Sequence, residues 1–314
     1  MAKNSLSFIK PMLATLTHNP FSDENWIYER KLDGIRCLAL KKNGKVTLYS
    51  RNQEKINSTY PEIAEAFQKQ SADNFLIDGE IVAFQGKQTS FSKLQKRMNV
   101  QEPTQEQLKI PVYFYAFDMP FGKNKDLRGK PLLERKNTLK ETLRFNDPIR
   151  FTTHRKENGL QFLKEACQRK WEGLIAKEKN SHYISKRSKK WLKFKCQNQQ
   201  EFVIGGYTDP QGSRSGFGSL LLGYFEKGKF RYAGKVGTGF TEEILKGLKK
   251  KLDALKRKTS PYEEKIAEKN VHFVKPQLVA EVAFTEWTKE DKLRHPRFLG
   301  IRKDKKAKEV RKEK

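Results

Sequence analysis

From Phe75 to Phe84 the chain is almost continuously apolar, broken only by Asp78, Gly79 and Glu80. A short run so rich in Phe, Leu, Ile and Val reads as a buried strand. Strand side chains alternate, so Asp78 and Glu80 share one face. A carboxylate placed there needs a cation, a metal or a ligand hydroxyl. A salt bridge to a basic neighbour is the plain alternative to a site. Either way, the chain must build a sheet with acids set into it.

More short strands follow the same rule, bounded by Gly, Asn and Asp. Cys37 to Leu40 and Val46 to Tyr49 flank Lys42-Asn43-Gly44, an Asn-Gly hairpin signal. Val112 to Phe117 is a further strand, rich in aromatics. Helices fall between the strands: one from Pro61, a favoured first-turn residue, others from about Leu132 to Leu143 and from about Gly159 to Lys170.

The polar run Gln197-Asn198-Gln199-Gln200 marks a change of character, which predicts domains at 1–198 and 199–314. Two domains also suit a length of 314 residues. Beyond the boundary, strands are expected over Phe202 to Tyr207, Leu220 to Phe225 and Lys229 to Lys235, with a last pair around Leu278 to Phe284. Ile244, Leu248, Leu252 and Leu255 predict one helix from Thr241 to about Lys258, with lysines on its other face. Several short strands and one helix fit a small barrel of the OB type. The charged tail from Arg302 is expected to be partly solvated.

Sixty-five Lys and Arg oppose 37 acids, leaving a net charge of +28. Such an excess fits a polyanionic partner, usually nucleic acid, although a basic protein without a specific partner would show it too. No stretch is apolar enough for a membrane helix. Met1 to Pro11 lacks the apolar core of a signal peptide. Cys37, Cys167 and Cys196 are odd in number and far apart, which predicts neither a disulfide framework nor a zinc site and suits a reducing cytoplasm. The histidines form no metal spacing, and no G-x-x-x-x-G-K-[ST] loop is present, so any nucleotide is held without a P-loop.

The most informative segment is Glu29-Arg30-Lys31-Leu32-Asp33-Gly34-Ile35-Arg36. It places a lysine in a loop at a sheet edge. A lysine amine attacks phosphorus only when neutral, and about one in 2,500 is neutral at pH 7 with an ordinary pKa. Nearby cations and a bound metal raise that fraction. Gly34 would let the backbone approach a ligand, and Arg36 would grip a phosphate with its planar fork. On this segment alone a solvated turn is the plainer reading. Trp171-Glu172-Gly173-Leu174 sets another acid beside Gly in an apolar strand; with Glu80 it could share a Mg²⁺. Lys193 and Lys195 lie on one strand face while Leu192 and Phe194 fill the other, which suggests a phosphate clamp or an exposed basic edge.

In order, Lys31-Leu32-Asp33-Gly34-Ile35-Arg36, Ser50-Arg51-Asn52, Ile77-Asp78-Gly79-Glu80, Tyr115-Ala116-Phe117-Asp118, Trp171-Glu172-Gly173-Leu174, Leu192-Lys193-Phe194-Lys195 and Arg302-Lys303-Asp304-Lys305 resemble the covalent nucleotidyltransferases, ATP-dependent DNA ligases in particular. Lys10-Pro11-Met12-Leu13-Ala14, Phe91 to Arg97, Lys235 to Phe240 and Leu293 to Gly300 look most like the ligase module of bacterial end-joining ligase D. The resemblance implies an α+β fold. Its first part is a nucleotidyltransferase (ATP-grasp-like adenylation) domain of antiparallel sheets with flanking helices; a small OB-fold β-barrel follows. It also implies a stand-alone, minimal two-domain ligase.

By that resemblance Lys31 carries the adenylate, Glu29 and Arg30 lie beside the adenine, and Phe117 stacks on it. Glu80 holds the ribose, and Arg51 the nucleotide or the DNA 5′-phosphate. Glu172, with Glu80, serves the metal; Lys193 and Lys195 contact the α-phosphate, with Arg36 at the nucleotide. Asp33 assists the last step. Arg302, Asp304 and Lys305 orient the pyrophosphate, which requires the OB domain to close about a hinge at Gln197 to Gln200. The implied cofactors are ATP and Mg²⁺, or Mn²⁺ in its place.

The implied partner is nicked duplex DNA, sealed by a monomer in the nucleoid-associated cytoplasm, with an end-binding or repair protein as a candidate accessory. Arg51, Lys186, Arg187, Lys189 and Lys190 are the expected DNA contacts, and the loop Gly212 to Gly216 is either another contact or a plain turn. Two rivals stand beside this reading: an RNA ligase or mRNA-capping enzyme of the same superfamily, and a non-catalytic OB-fold binding protein.

Overall fold

The structure, a computed structural model, describes residues 6–98, 103–196, 198–212 and 215–313. The chain divides into two compact units, Met1–Cys196 and Gln197–Lys314.

The first unit holds two main sheets. One has five strands in the order Leu13–Leu16, Arg187–Lys195, Gly173–Glu178, Trp26–Arg30 and His154–Arg155. The other runs Lys45–Ser50, Ile35–Lys42, Phe75–Gln85, Val112–Gly122 and Lys125–Asp126, with Gln88–Thr89 and Ile149–Phe151 joined at its side. Asn43 and Gly44, both at positive φ, close the expected hairpin between Ile35–Lys42 and Lys45–Ser50. Helix Pro61–Gln68 turns Ile63 and Phe67 onto Phe75 and Phe114 in the core of the second sheet. Helix Gly159–Gln168 presents Phe162 and Ala166 to one face of the five-stranded sheet, where Tyr28, Leu174, Ala176 and Phe194 meet it.

The second unit is built on one sheet in the order Lys229–Val236, Leu220–Glu226, Asn198–Thr208, Val279–Phe284 and Arg297–Ile301, with Val271–Phe273 on the third strand. Helix Glu242–Asp253 buries Leu245, Leu248 and Leu252 against it. Thr241 caps that helix, accepting the Ile244 N–H. The helix stops short of Lys258 because the chain turns to pair again: Lys256 bridges Val274, and the Arg257 N–H donates to the Phe273 carbonyl.

The polar run at the predicted domain boundary is strand where it is described. Asn198, Gln199 and Gln200 open a strand paired with Phe284, Ala283 and Val282, so their backbone bonds are committed; Gln197 lies outside the described residues. Gln200 is buried because its amide donates to the Arg311 carbonyl and accepts the Glu313 N–H. By the same contacts part of the tail is docked, with Val310 buried and its carbonyl bound by Phe225, while Lys303, Lys306, Lys308 and Arg311 are exposed, as expected of a partly solvated tail. The cysteine expectation needs correction: Cys167 and Cys196 form a disulfide, Cα atoms 5.2 Å apart, because the helix carrying Cys167 packs on the sheet whose strand Arg187–Lys195 leads into Cys196. Ser213 and Arg214 of the loop considered for DNA lie outside the described residues.

Candidate active site

Lys31 leaves the Trp26–Arg30 strand at its C-terminal end, and its N–H donates to the Gly173 carbonyl at 2.9 Å. That bond extends the pairing with the Gly173–Glu178 strand by one residue and fixes where the side chain emerges. The Lys31 ammonium forms an ion pair with Glu172, the residue preceding that strand. Gly173 has no alternative here: its φ is +147°, and a Cβ would sit 1.9 Å from the Phe194 carbonyl oxygen.

Gly34 is required by the packing of the fold itself. A Cβ on it would lie 2.1 Å from the Ile81 carbonyl oxygen, so the loop after Lys31 needs glycine to lie against the Phe75–Gln85 strand. Asp33 ties the same loop down, its N–H donating to the Thr89 hydroxyl and its carboxylate accepting the Phe91 N–H.

Strand register decides which residues meet. Glu29 lies opposite Ile175, which lies opposite Lys193; Lys177 lies opposite Trp191; Gly173 lies opposite Lys195. Cross-strand partners share a face. One face of the five-stranded sheet therefore carries Glu29, Lys177, Lys193 and Lys195, with Lys31 at its edge. The expected division of Lys193 and Lys195 from Leu192 and Phe194 is the observed one.

Glu29 and Lys177 of this face belong to a buried ionic network that sequence reasoning largely missed. Lys136, on helix Leu132–Thr142, donates to Glu29 at 2.5 Å and to the Thr152 and Phe117 carbonyls at 3.0 and 3.3 Å. Lys177 takes the other Glu29 oxygen at 2.6 Å. Burial pushes the Glu29 carboxyl up, but the two ammoniums outweigh it and hold it below the usual range. Burial drives Lys177 down to about 8, with Glu29 opposing and Lys136 adding to the drop. Beside them Asp118 and Arg135 form a wholly buried two-pronged pair at 2.7 and 2.8 Å. The signal available was two basic residues, Arg135 and Lys136, on a helix turn otherwise occupied by core leucines.

Arg36 lies opposite Glu80 and diagonal to Asp78 on the neighbouring strand. Its fork is given to Asp78, and it also donates to the Met12 carbonyl at 3.0 Å. Asp78 thus takes the salt-bridge reading and also accepts the Tyr183 hydroxyl at 2.6 Å. Burial lowers the Arg36 guanidinium, and Asp78 more than restores it above the ordinary value. Arg36 rests 4.5 Å from the centre of the Phe117 ring, and the Lys177 ammonium 4.3 Å from it. Phe117 is buried with Met12, Ile27 and Trp191, so its ring serves cations of the protein. Glu80 is half-buried, and Arg30 stacks on Trp171 at 4.4 Å. Arg51 follows the Lys45–Ser50 strand in a turn, half-buried.

Lys186, Arg187, Lys189 and Lys190 are all exposed; Arg187 donates to the Ala14 carbonyl and Lys190 pairs with Glu178. Within the second unit, Arg302 is clamped by Glu281 and Asp304, each at 2.8 Å, and Lys305 pairs with Glu201 at 2.8 Å. Among the described residues no group of three or more His, Cys, Asp or Glu could hold a metal. Glu172, a single carboxylate against the Lys31 amine, instead fits a Mg²⁺ bound chiefly through water and substrate phosphate. No helix among the described residues is long and apolar enough to cross a membrane.

Comparison with known proteins gives a consistent picture. The family model described as ATP dependent DNA ligase domain matches residues 11–195, and that of the ATP dependent DNA ligase C terminal region matches 213–305. The multifunctional non-homologous end joining protein LigD of Pseudomonas aeruginosa is 37% identical over 96% of this chain, which spans 36% of that relative's length. The SPbeta prophage-derived DNA ligase-like protein LigB of Bacillus subtilis is 30% identical over 94% of this chain and 99% of its own. A mycobacterial DNA ligase D solved with ATP and MES matches with a TM-score of 0.69 at 32% identity, over 96% of this chain and 98% of that one. The α+β architecture is accordingly a nucleotidyltransferase domain followed by an OB-fold domain. With both of its units matched by ligase family models, this chain belongs to the ATP-dependent DNA ligases.

Proposed function

We propose that this ligase seals nicks in duplex DNA through three phosphoryl transfers begun by Lys31. The Lys31 amine attacks the α-phosphorus of ATP, forms a phosphoramidate with AMP and expels pyrophosphate. The DNA 5′-phosphate then takes the AMP from Lys31. The 3′-hydroxyl attacks that activated phosphate, forming the phosphodiester and releasing AMP. Positioning and charge neutralisation suffice for such transfers.

The observation that carries this reading is the charged sheet face: Lys31 held by Glu172 at one edge, with Lys193 and Lys195 on the same face. Lys193 and Lys195 neutralise the α-phosphate, and Glu172 holds the amine in place until nucleotide arrives. Glu172, with Glu80, is also the acid that would hold Mg²⁺ or Mn²⁺, which supplies charge neutralisation at the phosphates. Glu80 takes the ribose, and Arg51 the nucleotide or the 5′-phosphate. Glu29 and Arg30 border the adenine, with Phe117 and Arg36 behind it. Arg302, Asp304 and Lys305 serve pyrophosphate release, and Asp33 the last step. Lys186, Arg187, Lys189 and Lys190 hold the DNA backbone without reading sequence.

The test is sealing of a fluorescent nicked duplex with ATP, by wild type and by Lys193→Ala. Efficient DNA sealing, lost in the variant, is expected; sealing confined to nicked RNA would reject the DNA substrate. A second reading, joining of broken ends in the cytoplasm with an end-binding accessory protein, rests on the 37% identity to LigD. It predicts that an end-binding protein stimulates ligation of double-strand breaks.

A further inference from the structure

The disulfide sits where it bears on the nucleophile. Cys167 lies in the last turn of helix Gly159–Gln168, and its carbonyl accepts the Lys170 N–H as the chain turns toward Glu172. Cys196 follows the strand that carries Lys193 and Lys195, and its N–H donates to the Glu172 carbonyl at 3.0 Å. Glu172 is therefore held twice. It lies five residues along the chain from one cysteine and is hydrogen-bonded to the backbone of the other. Its carboxylate is the group paired with Lys31. The bond, the turn and the Cys196–Glu172 hydrogen bond close a small ring around the acid.

Access differs among the three cysteines. Cys167 is exposed and Cys196 half-buried, so small thiols and disulfides can reach the bond. Cys37 is fully buried, and burial, with Asp78 and Glu80 nearby, pushes its thiol well up, which leaves it inert. Where thiols are normally reduced, a reachable pair of this kind cycles, whereas a structural bond would be permanent.

We propose that Cys167 and Cys196 are a reversible oxidative modification site, and that closing the bond holds Glu172 against Lys31 and so sets the rate at which Lys31 acquires AMP. The consequence for rate rests on the adenylylation reading above; the modification itself does not. The oxidant is a low-molecular-weight disulfide such as glutathione disulfide. One cysteine thiolate attacks it, forming a mixed disulfide and releasing one glutathione thiol. The second cysteine thiolate displaces the other. Two protons and two electrons leave the protein, the S–S bond forms, and glutathione disulfide is reduced to two thiols. Excess glutathione reverses each step.

The experiment equilibrates the full chain in reduced and in oxidised glutathione, counts free thiols by alkylation and mass, and follows AMP uptake at sub-saturating ATP. Wild type is expected to show three thiols when reduced and one when oxidised, with AMP uptake several-fold slower in the oxidised form, because a carboxylate held against the Lys31 ammonium keeps the amine charged. Cys167→Ser is expected to take up AMP at the reduced rate in both buffers. Three thiols persisting in excess glutathione disulfide would overturn the site. Equal rates in the two wild-type states, or a Cys167→Ser variant that still responds to the buffer, would overturn the coupling. A pair that forms in a protein taking up no AMP in either buffer would overturn the adenylylation reading and, with it, the coupling.

Discussion

The two faces of the five-stranded sheet are made by alternate residues of the same strands, yet they obey different rules. One face sets Tyr28, Leu174, Ala176 and Phe194 against a helix and needs only volume and shape. The other sets Glu29, Lys177, Lys193 and Lys195 side by side, and the deeper of these persist only because each buried charge has a partner. Apolar packing fixes the height of the strands, and the ionic face spends that rigidity on chemistry. The lesson is that a charged face needs buried partners placed as closely as the side chains of a core. Here Lys136 is such a partner, joining Glu29 of one sheet to the Phe117 carbonyl of the other.

Changes at the meeting of the faces should break this contrast most severely. Gly173→Ala adds a Cβ 1.9 Å from a carbonyl oxygen at a φ of +147°. It should cost about 3 kcal/mol or more, read as a collapse of the urea midpoint and loss of sealing. Lys136→Met leaves Glu29 one ammonium short in a buried site and should cost about 3–5 kcal/mol, with partial rescue by Lys136→Arg. Normal stability in the Met variant would show that the network is dispensable.

His154 tests the charged side more gently. Burial, reinforced by the positive charge of Lys136, brings it down to about 4 from 6.5. The unfolded chain therefore takes up this proton first, and stability falls as pH drops from about 6.5 to about 4. His154→Gln should flatten the melting temperature across that interval. Smallest of all, Lys189→Ala on the exposed stretch should leave stability unchanged and lower the slope of log Kd against log salt by about one for DNA.

Much of this was readable in the sequence. Alternation placed Lys193 and Lys195 on one face, Asn43-Gly44 fixed a hairpin, and Thr241 marked a helix start, because each depends on neighbours within a few residues. The ring of Glu29, Lys136 and Lys177 was not readable. Glu29 and Lys136 are 107 residues apart, and nothing local to either one demands the other. That Gly34 also packs against the Ile81 carbonyl was not readable, because the contact joins a loop to a strand distant in the chain. Asn198 to Gln200 stood out as a polar run, but nothing local to it showed that Gln200 would be buried and satisfied from 111 residues away. The cysteines misled for a similar reason, since spacing along the chain carries no information about a helix laid across a strand.

The most direct test of the account is the intact mass of the purified chain after incubation with ATP and Mg²⁺, followed by peptide mapping. Wild type should gain one AMP, on Lys31, and Lys31→Ala should gain none. An unmodified wild type, or an adduct mapped to another lysine, would contradict it.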